Sequence, residues 1–453
     1  MFLCGECGSH SPRWVGRCPR CGAWGSLQGA EERARPPPRP VPLEEVAAHP
    51  VERRSTGCAE LDRVLGGGAV PGSVALLGGE PGIGKSTLLL GVGARLGAAC
   101  LYAAGEESPG QVALRARRLR LPGGGLSLLD STDPELIAAE LRSSRPAFAV
   151  VDSIQTLRSG EVKGSAGGPS QARAATAVLV PAARESGACL FLVGQVTKLG
   201  GLAGPRLLEH AVDAVLLFEG DRHHSLRALR SVKNRFGATD EIGLFEMRDD
   251  GLHEVSAASS LLLADRGPPG PGSVVGVAME GGRALCVEVQ ALLVGEDRMG
   301  PRRRARGIDG RRAEILVGVV ESLFCSRVAT RDVFLNVVGG LEVRDPGLDL
   351  AAAAAVLGAA LGRSTDPTAV LIGEVGLRGE VRPVPRLAPR LKEARALGFL
   401  RAFVPRGGEG IEGLATTAIE RVDEVFPWEG PGAPDGPAPP QGSRSVGAAP
   451  VVP

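Results

Sequence analysis

Aromatic side chains are scarce: the 453 residues include 11 phenylalanines, three tryptophans and one tyrosine. So few rings disfavour a base-stacking platform as the main grip on a nucleic-acid strand. An excess of one charge is missing too. The 52 basic and 51 acidic side chains leave a formal charge of +1, so gross basicity argues for no nucleic-acid partner. No uncharged apolar run reaches the about 18 residues of a membrane helix, and a cysteine cluster stands where a secretion signal needs an apolar core. The expectation is a cytoplasmic protein with no membrane partner. The 65 glycines and 35 prolines follow no triplet period, which excludes collagen. Lysine is nearly absent. Lys85, Lys163, Lys198, Lys233 and Lys392 are the only five, leaving 47 arginines. A compact ammonium and a guanidinium fork serve different geometries, so each lysine position carries information.

What is present falls into segments. With 43% apolar residues the chain can bury sizeable cores, and its length predicts two or three domains. Residues 1–30 hold the cysteine cluster, and 31–54 read as an extended arginine- and proline-rich linker. Residues 55–265 alternate short apolar runs (73–78, 99–104, 147–152, 189–194, 214–219) with helix-like stretches, the pattern of an α/β domain with parallel strands under helices. The sequence RGPPGPG at 266–272 marks a boundary. Residues 266–430 predict an α+β domain, and 431–453 a disordered Gly/Pro/Ala tail.

Two cysteine pairs, Cys4-x2-Cys7 and Cys18-x2-Cys21, stand ten residues apart. Paired CxxC knuckles turn four thiolates toward one tetrahedral Zn²⁺, and a unit this small needs the metal to fold. Disulfides or a redox motif are the alternatives. Cys58, Cys100, Cys189, Cys286 and Cys325 lie singly in apolar surroundings and read as buried structural residues.

The segment Gly79-Glu80-Pro81-Gly82-Ile83-Gly84-Lys85-Ser86-Thr87 follows an apolar strand and opens a helix. This is the phosphate loop GxxxxGKS in its strand-loop-helix setting. Its glycines let backbone N–H groups curl around the phosphates of ATP, Lys85 reaches the β and γ oxygens, and the Ser86 hydroxyl would ligate Mg²⁺. Asp152 ends the strand AFAVVD and supplies the second magnesium contact. A carboxylate must orient the attacking water, and Glu106 or Glu107, after the strand 100–104, could do so, with Glu106 preferred. Gln195 follows another strand and either senses the γ-phosphate or is a plain loop residue. Lys198 stands in the same segment. Lys233 and Arg235, in KNRFG after an apparent strand 225–232, either meet phosphate or form a solvated turn.

Taken in order, the four-cysteine ribbon, TGCAELDRVLGGG, GGEPGIGKST, YAAGEES, VVDSIQT, GQVTKLGGLAGPRLLEHAVDAVLLFEGD, KNRFG, VEVQALL and DPGLDLAAAAA resemble the bacterial RadA family of DNA repair proteins, also called Sms. The resemblance runs from residue 4 to 428. It implies a RecA-like ATPase core of the ring-helicase kind, joined to a domain similar to that of the Lon protease. It also implies a homo-hexamer that works beside a RecA-type recombinase on single-stranded and branched DNA, processing recombination intermediates by branch migration. Lys233 and Arg235 match positions that the family uses for ATPase and DNA-linked function. Many members carry histidine where this chain has Gln195, so no sensor role that depends on an imidazole carries over.

Two rivals come from other classes. A RecA-like autokinase or timing ATPase would share the phosphate loop without requiring the ribbon or KNRFG. A Lon-type peptidase would need a serine nucleophile activated by a lysine. The serine would fall within 345–352, which contains none; the lysine would fall near 385–388, and only Lys392 lies in that part of the chain. The domain reads instead as a scaffold with a basic surface, since 298–312 carries seven arginines.

Overall fold

The computed structural model describes residues 2–11, 13–29, 40, 42–44, 51–122, 124–195, 206–220, 225–296, 301–325 and 328–426. Lys198, Arg298, most of the linker and the Gly/Pro/Ala tail lie outside them. The chain divides into two compact units, Met1–Val51 and Glu52–Pro453.

The first unit is a three-stranded sheet of β1 (Phe2–Cys4), β2 (His10–Ser11) and β3 (Leu27–Gly29), in the order β2-β1-β3. Its buried apolar residues are Cys4, Cys18 and Leu27, too few to hold a fold by burial alone.

The second unit opens with α1 (Ala59–Val64), then alternates strands and helices: β4 (Val74–Gly79), α2 (Lys85–Leu96), β5 (Cys100–Ala104), α3 (Pro109–Arg118), β6 (Ser127–Asp130), α4 (Pro134–Ser144), β7 (Phe148–Asp152), α5 (Pro169–Ser186), β8 (Cys189–Val193), α6 (Arg206–Ala211) and β9 (Ala214–Glu219). A hairpin series closes the sheet: β10 (Leu226–Asn234), β11 (Ile242–Arg248) and β12 (Gly251–Glu254). Punctuation in the sequence sets these boundaries. Ser108 and Gln111 form a capping box with Pro109 in the first turn of α3, Asp133 caps α4 ahead of Pro134, and Gly187 ends α5 in the left-handed region.

The nine strands run β12-β11-β10-β9-β4-β8-β7-β5-β6. Strands β4 to β9 are parallel, as the alternation predicts, while β10, β11 and β12 add an antiparallel edge. One strand, β8, separates the phosphate-loop strand β4 from β7. Buried residues alternate between the faces. Ala75, Leu77, Cys100 and Tyr102 pack under α1, α2 and α3; Val74, Leu76, Leu101 and Ala103 pack under α4, α5 and α6.

After α7 (Ala258–Leu263), a seven-stranded mixed sheet follows in the order β15-β16-β14-β13-β17-β20-β21. It comprises β13 (Ser273–Glu280), β14 (Arg283–Glu296), β15 (Arg303–Arg306), β16 (Arg331–Val337), β17 (Ala369–Leu371), β20 (Arg401–Pro405) and β21 (Ala415–Ile419), with β18 (Glu374–Val375) and β19 (Val381–Arg382) as a separate pair. Its helices are α8 (Gly310–Leu323), α9 (Asp349–Leu361) and α10 (Leu387–Ala396). This is the α+β content expected. The proposed boundary at 266–272 is bridged by packing: Leu226, Ile242, Leu244, Ala258 and Leu262 share one core with Val287, Leu316 and Val356. Polar pairs span it as well. Arg283 Nη1 donates to Glu60 Oε2 at 2.9 Å, Arg230 Nη1 to Glu280 Oε2 at 2.6 Å, Arg386 Nη2 to Asp240 Oδ2 at 3.0 Å and Ser259 Oγ to Glu393 Oε1 at 2.6 Å.

Among the described residues no helix is long and apolar enough to cross a membrane.

Candidate functional site

The phosphate loop leaves β4 at its C-terminal end and enters α2 through Gly84, whose φ is +117°. A side chain there would be strained, and its Cβ would lie 2.8 Å from Met247 Cε. No side chain caps α2, so the N–H groups of its first turn stay available to an anion. Glu80, Pro81 and Gly82 are exposed, and Ile83 anchors the loop in the core. Lys85 is buried, and its Nζ donates to the carbonyls of Gly79 at 2.8 Å and Glu80 at 2.9 Å. The loop thus holds its own lysine in place. Burial lowers the Lys85 pKa, against the opposing charges of Asp152 and Glu106.

The other site residues stand at the same edge of the sheet. Asp152 ends β7, opposite Ala104 at the end of β5. Glu106 lies two residues beyond β5, is exposed, and accepts a 2.5 Å hydrogen bond from Ser153 Oγ. Glu107 is taken up by Arg115, whose Nη1 donates to its Oε1 at 3.0 Å. Gln195 follows β8, beside β4, where Gly194 N donates to Leu77 O at 2.8 Å. The structure therefore gathers Lys85, Ser86, Glu106, Asp152 and Gln195 at one sheet edge.

Lys233 and Arg235 are elsewhere. Strand β10 continues through Asn234 rather than ending at 232, so Lys233 lies within it, paired with Val215 at the opposite end of β9. Ala214 pairs with Ala75 and Phe218 with Gly79, so four residues, roughly 13 Å of strand, separate that end from the phosphate loop. Lys233 Nζ donates to the carbonyls of Glu209 and Val212, closing the end of α6, and Arg235 pairs with the buried Asp213 at 3.2 Å. Burial and then Arg235 lower the Lys233 pKa. Neither cation reaches its own chain's phosphate loop.

The sequence reading missed Tyr102, Arg115 and Ser153. Tyr102 Oη donates to Asp152 Oδ2 at 2.5 Å, and Arg115 Nη2 donates to Tyr102 Oη at 3.3 Å. The single tyrosine of an aromatic-poor chain, four residues before Glu106, was the available signal. Asp152 Oδ1 has no partner among the described residues. An oxygen donor left open beside a phosphate loop fits a hard cation such as Mg²⁺, with Ser86 as the second donor.

In the ribbon, Cys4 and Cys21 Sγ are 3.6 Å apart and Cys7 and Cys18 Sγ 3.7 Å, with all four ligand atoms within 4.8 Å of one another. Tetrahedral Zn–S bonds of about 2.3 Å place sulfurs about 3.8 Å apart. The four cysteines form a zinc-binding motif, and every cysteine is free of disulfides. Hydrogen bonds from the Cys21 backbone and the Ser9 side chain hold Cys18 down at about 5. Elsewhere burial pushes Cys58 and Cys100 to about 12 and Cys189 to about 11, so these stay neutral core thiols. Chelation after thiol modification is expected to release about one zinc per chain and to abolish amide protection at Cys4 and Cys18 in hydrogen exchange. Retained protection in zinc-free protein would contradict a metal-built ribbon.

The peptidase reading finds no nucleophile site. Asp345–Leu348 forms a capped turn into α9, whose residues Leu350–Ala355 are fully buried. Arg390 is also fully buried and pairs with Asp345 at 2.5 and 3.1 Å. A Cβ on Gly347 would collide with its guanidinium. Lys392 is exposed. The basic-surface expectation needs correcting in part. Arg303 is spent on the carbonyls of Arg331 and Val328 and on Glu321, and Arg312 on the buried Asp349. Arg302, Arg304, Arg306 and Arg311 are exposed.

Residues 2–28 match the family described as rubredoxin metal binding domain, and residues 326–408 the one described as subunit ChlI of Mg-chelatase. The chain is similar to the crystal structure of the RadB recombinase at a TM-score of 0.37 and 23% identity, over 45% of this chain and 99% of that one. It is 46% identical to the DNA repair protein RadA of Pseudomonas aeruginosa over 94% of this chain and 98% of that protein. With the RadA of Bacillus subtilis it shares 44% over 94% and 97%, and with that of Listeria monocytogenes 43% over 90% and 92%. Identity at this level along nearly the full length of both partners means that the chain belongs to the RadA family of DNA repair proteins.

Proposed function

We propose that this protein is a DNA-dependent ATPase that drives branch migration of recombination intermediates as a cytoplasmic homo-hexamer beside a RecA-type recombinase. The observation that carries the reading is the convergence of Lys85, Ser86, Glu106 and Asp152 at one sheet edge, in a chain of the RadA family. The α2 N-terminus and the loop N–H groups cradle the ATP phosphates, and Lys85 trades its two loop carbonyls for the β and γ oxygens. Mg²⁺ held by Ser86 and Asp152 would neutralise charge on those oxygens. Glu106, kept in place by Ser153, orients the water for in-line attack and accepts its proton. Gln195, on the neighbouring strand end, is poised to register the γ-phosphate. In this reading residues 55–265 form the motor, 266–430 a non-proteolytic scaffold, and Arg304 and Arg311 part of its DNA-facing surface.

We infer outward work for Lys233 and Arg235, which would leave their own-chain partners Val212 and Asp213 to perform it. They cannot serve their own phosphate loop, so in a ring they act on a neighbour's nucleotide or on DNA. A cation supplied in trans stabilises transition-state charge with little effect on ground-state affinity. Lys233→Ala is therefore expected to bind ATP like the unaltered protein yet lose at least about tenfold in branch-migration rate on a three-strand DNA intermediate. Unchanged branch migration would remove the segment from the mechanism.

A further inference from the structure

Tyr102 is the only tyrosine in the chain and is fully buried among the core residues under α2 and α3. Packing there needs only a ring, which phenylalanine would supply. The hydroxyl needs a separate explanation. It donates to Oδ2 of Asp152 at 2.5 Å, across the β5–β7 register in which Tyr102 faces Val150 and Ala104 faces Asp152. From the other side, Arg115 of α3 donates to the same hydroxyl oxygen at 3.3 Å and stands 3.9 Å from Asp152 Oδ2. Its Nη1 simultaneously holds Glu107 at 3.0 Å, in the loop that carries Glu106.

We propose that Tyr102, braced by Arg115, is a positioning residue for the metal side of the ATP site. A lone aspartate at a strand end can rotate its carboxylate and present either oxygen. The phenol fixes Oδ2 and leaves Oδ1 as the oxygen offered to Mg²⁺. Arg115 extends the same brace to Glu107, so the metal-binding carboxylate and the loop that bears the water-orienting Glu106 share one support. The inference rests on the assignment of Asp152 as a magnesium ligand.

The full-length protein carries the test. Tyr102→Phe keeps the ring and removes only the donor. The Mg²⁺ concentration for half-maximal ATP hydrolysis is expected to rise about tenfold, while kcat at saturating Mg²⁺ stays within about twofold. Because Tyr102 is unique, biosynthetic 3-fluorotyrosine gives a single ¹⁹F resonance in the unaltered chain. That resonance is expected to move when Mg²⁺ and ADP are added together and to stay still in Asp152→Asn. This second readout needs neither turnover nor a folded Tyr102→Phe variant. An unchanged Mg²⁺ dependence in Tyr102→Phe, or a ¹⁹F resonance indifferent to Mg²⁺ with ADP, would overturn the positioning role. If Asp152→Asn loses metal-dependent hydrolysis in the same experiments, the site assignment survives that failure. Undiminished hydrolysis by Asp152→Asn would overturn both.

Discussion

Lys85→Ala is expected to lower ATP turnover by about 10²- to 10³-fold while leaving the protein folded. The ammonium group is buried at the mouth of α2 and already lies 2.8–2.9 Å from two carbonyls of its own loop. The phosphate loop itself contains no other lysine, and Arg115 is committed to Glu107 and Tyr102. Steady-state turnover of the purified variant, with circular dichroism as the control for folding, decides it. A folded variant that hydrolyses ATP near the wild-type rate would place the active site elsewhere.

The second large effect is on stability. Arg390 is fully buried, and its guanidinium is satisfied by Asp345 at 2.5 and 3.1 Å, by Val277 O at 2.7 Å and by Pro385 O at 3.3 Å. Asp345 in turn accepts from the backbone of Met279 at 2.6 Å and Gly347 at 3.1 Å, tying β13 to the turn before α9. Arg390→Met would leave that carboxylate buried without its counter-charge. The expected loss is about 3–5 kcal/mol in urea unfolding, where an exposed ion pair such as Arg406–Glu420 contributes about 0–1 kcal/mol. Because 226–262 and the C-terminal sheet share one core, the destabilisation should reach the antiparallel edge of the ATPase sheet as well. A loss below about 1 kcal/mol would mean that the pair is dispensable and that Asp345 finds water instead.

Local signals made much of the molecule legible. Five parallel strands fall within a residue of their apolar runs, because buried strands bounded by glycine and charge are written in consecutive residues. The phosphate loop and the four-cysteine motif carry their geometry in their spacing. What stayed hidden depends on long-range pairing. Strand β10 runs on through Lys233 and Asn234 because β9 pairs with it across a register shift, which hydropathy cannot show for two polar residues. Arginines at 303 and 312 read as surface cations, yet each is taken up by a carbonyl or carboxylate from a distant element. The Tyr102–Asp152 contact joins residues fifty positions apart, and only the β5–β7 register brings them together. The continuity of the core across 266–272 was invisible for the same reason. A Gly/Pro break reports a local turn and says nothing about packing across it.

In the proposed function, ATP hydrolysis at Lys85, Glu106 and Asp152 is coupled to DNA. The most direct test is the steady-state ATPase rate of the full-length protein with and without single-stranded DNA, at fixed Mg²⁺ and a stated salt concentration. The expected rate is at least about fivefold higher with DNA, and it is lost in Glu106→Gln, whose water is no longer oriented by a carboxylate. A rate indifferent to DNA would contradict it and favour a timing ATPase or autokinase that uses the same phosphate loop for another purpose.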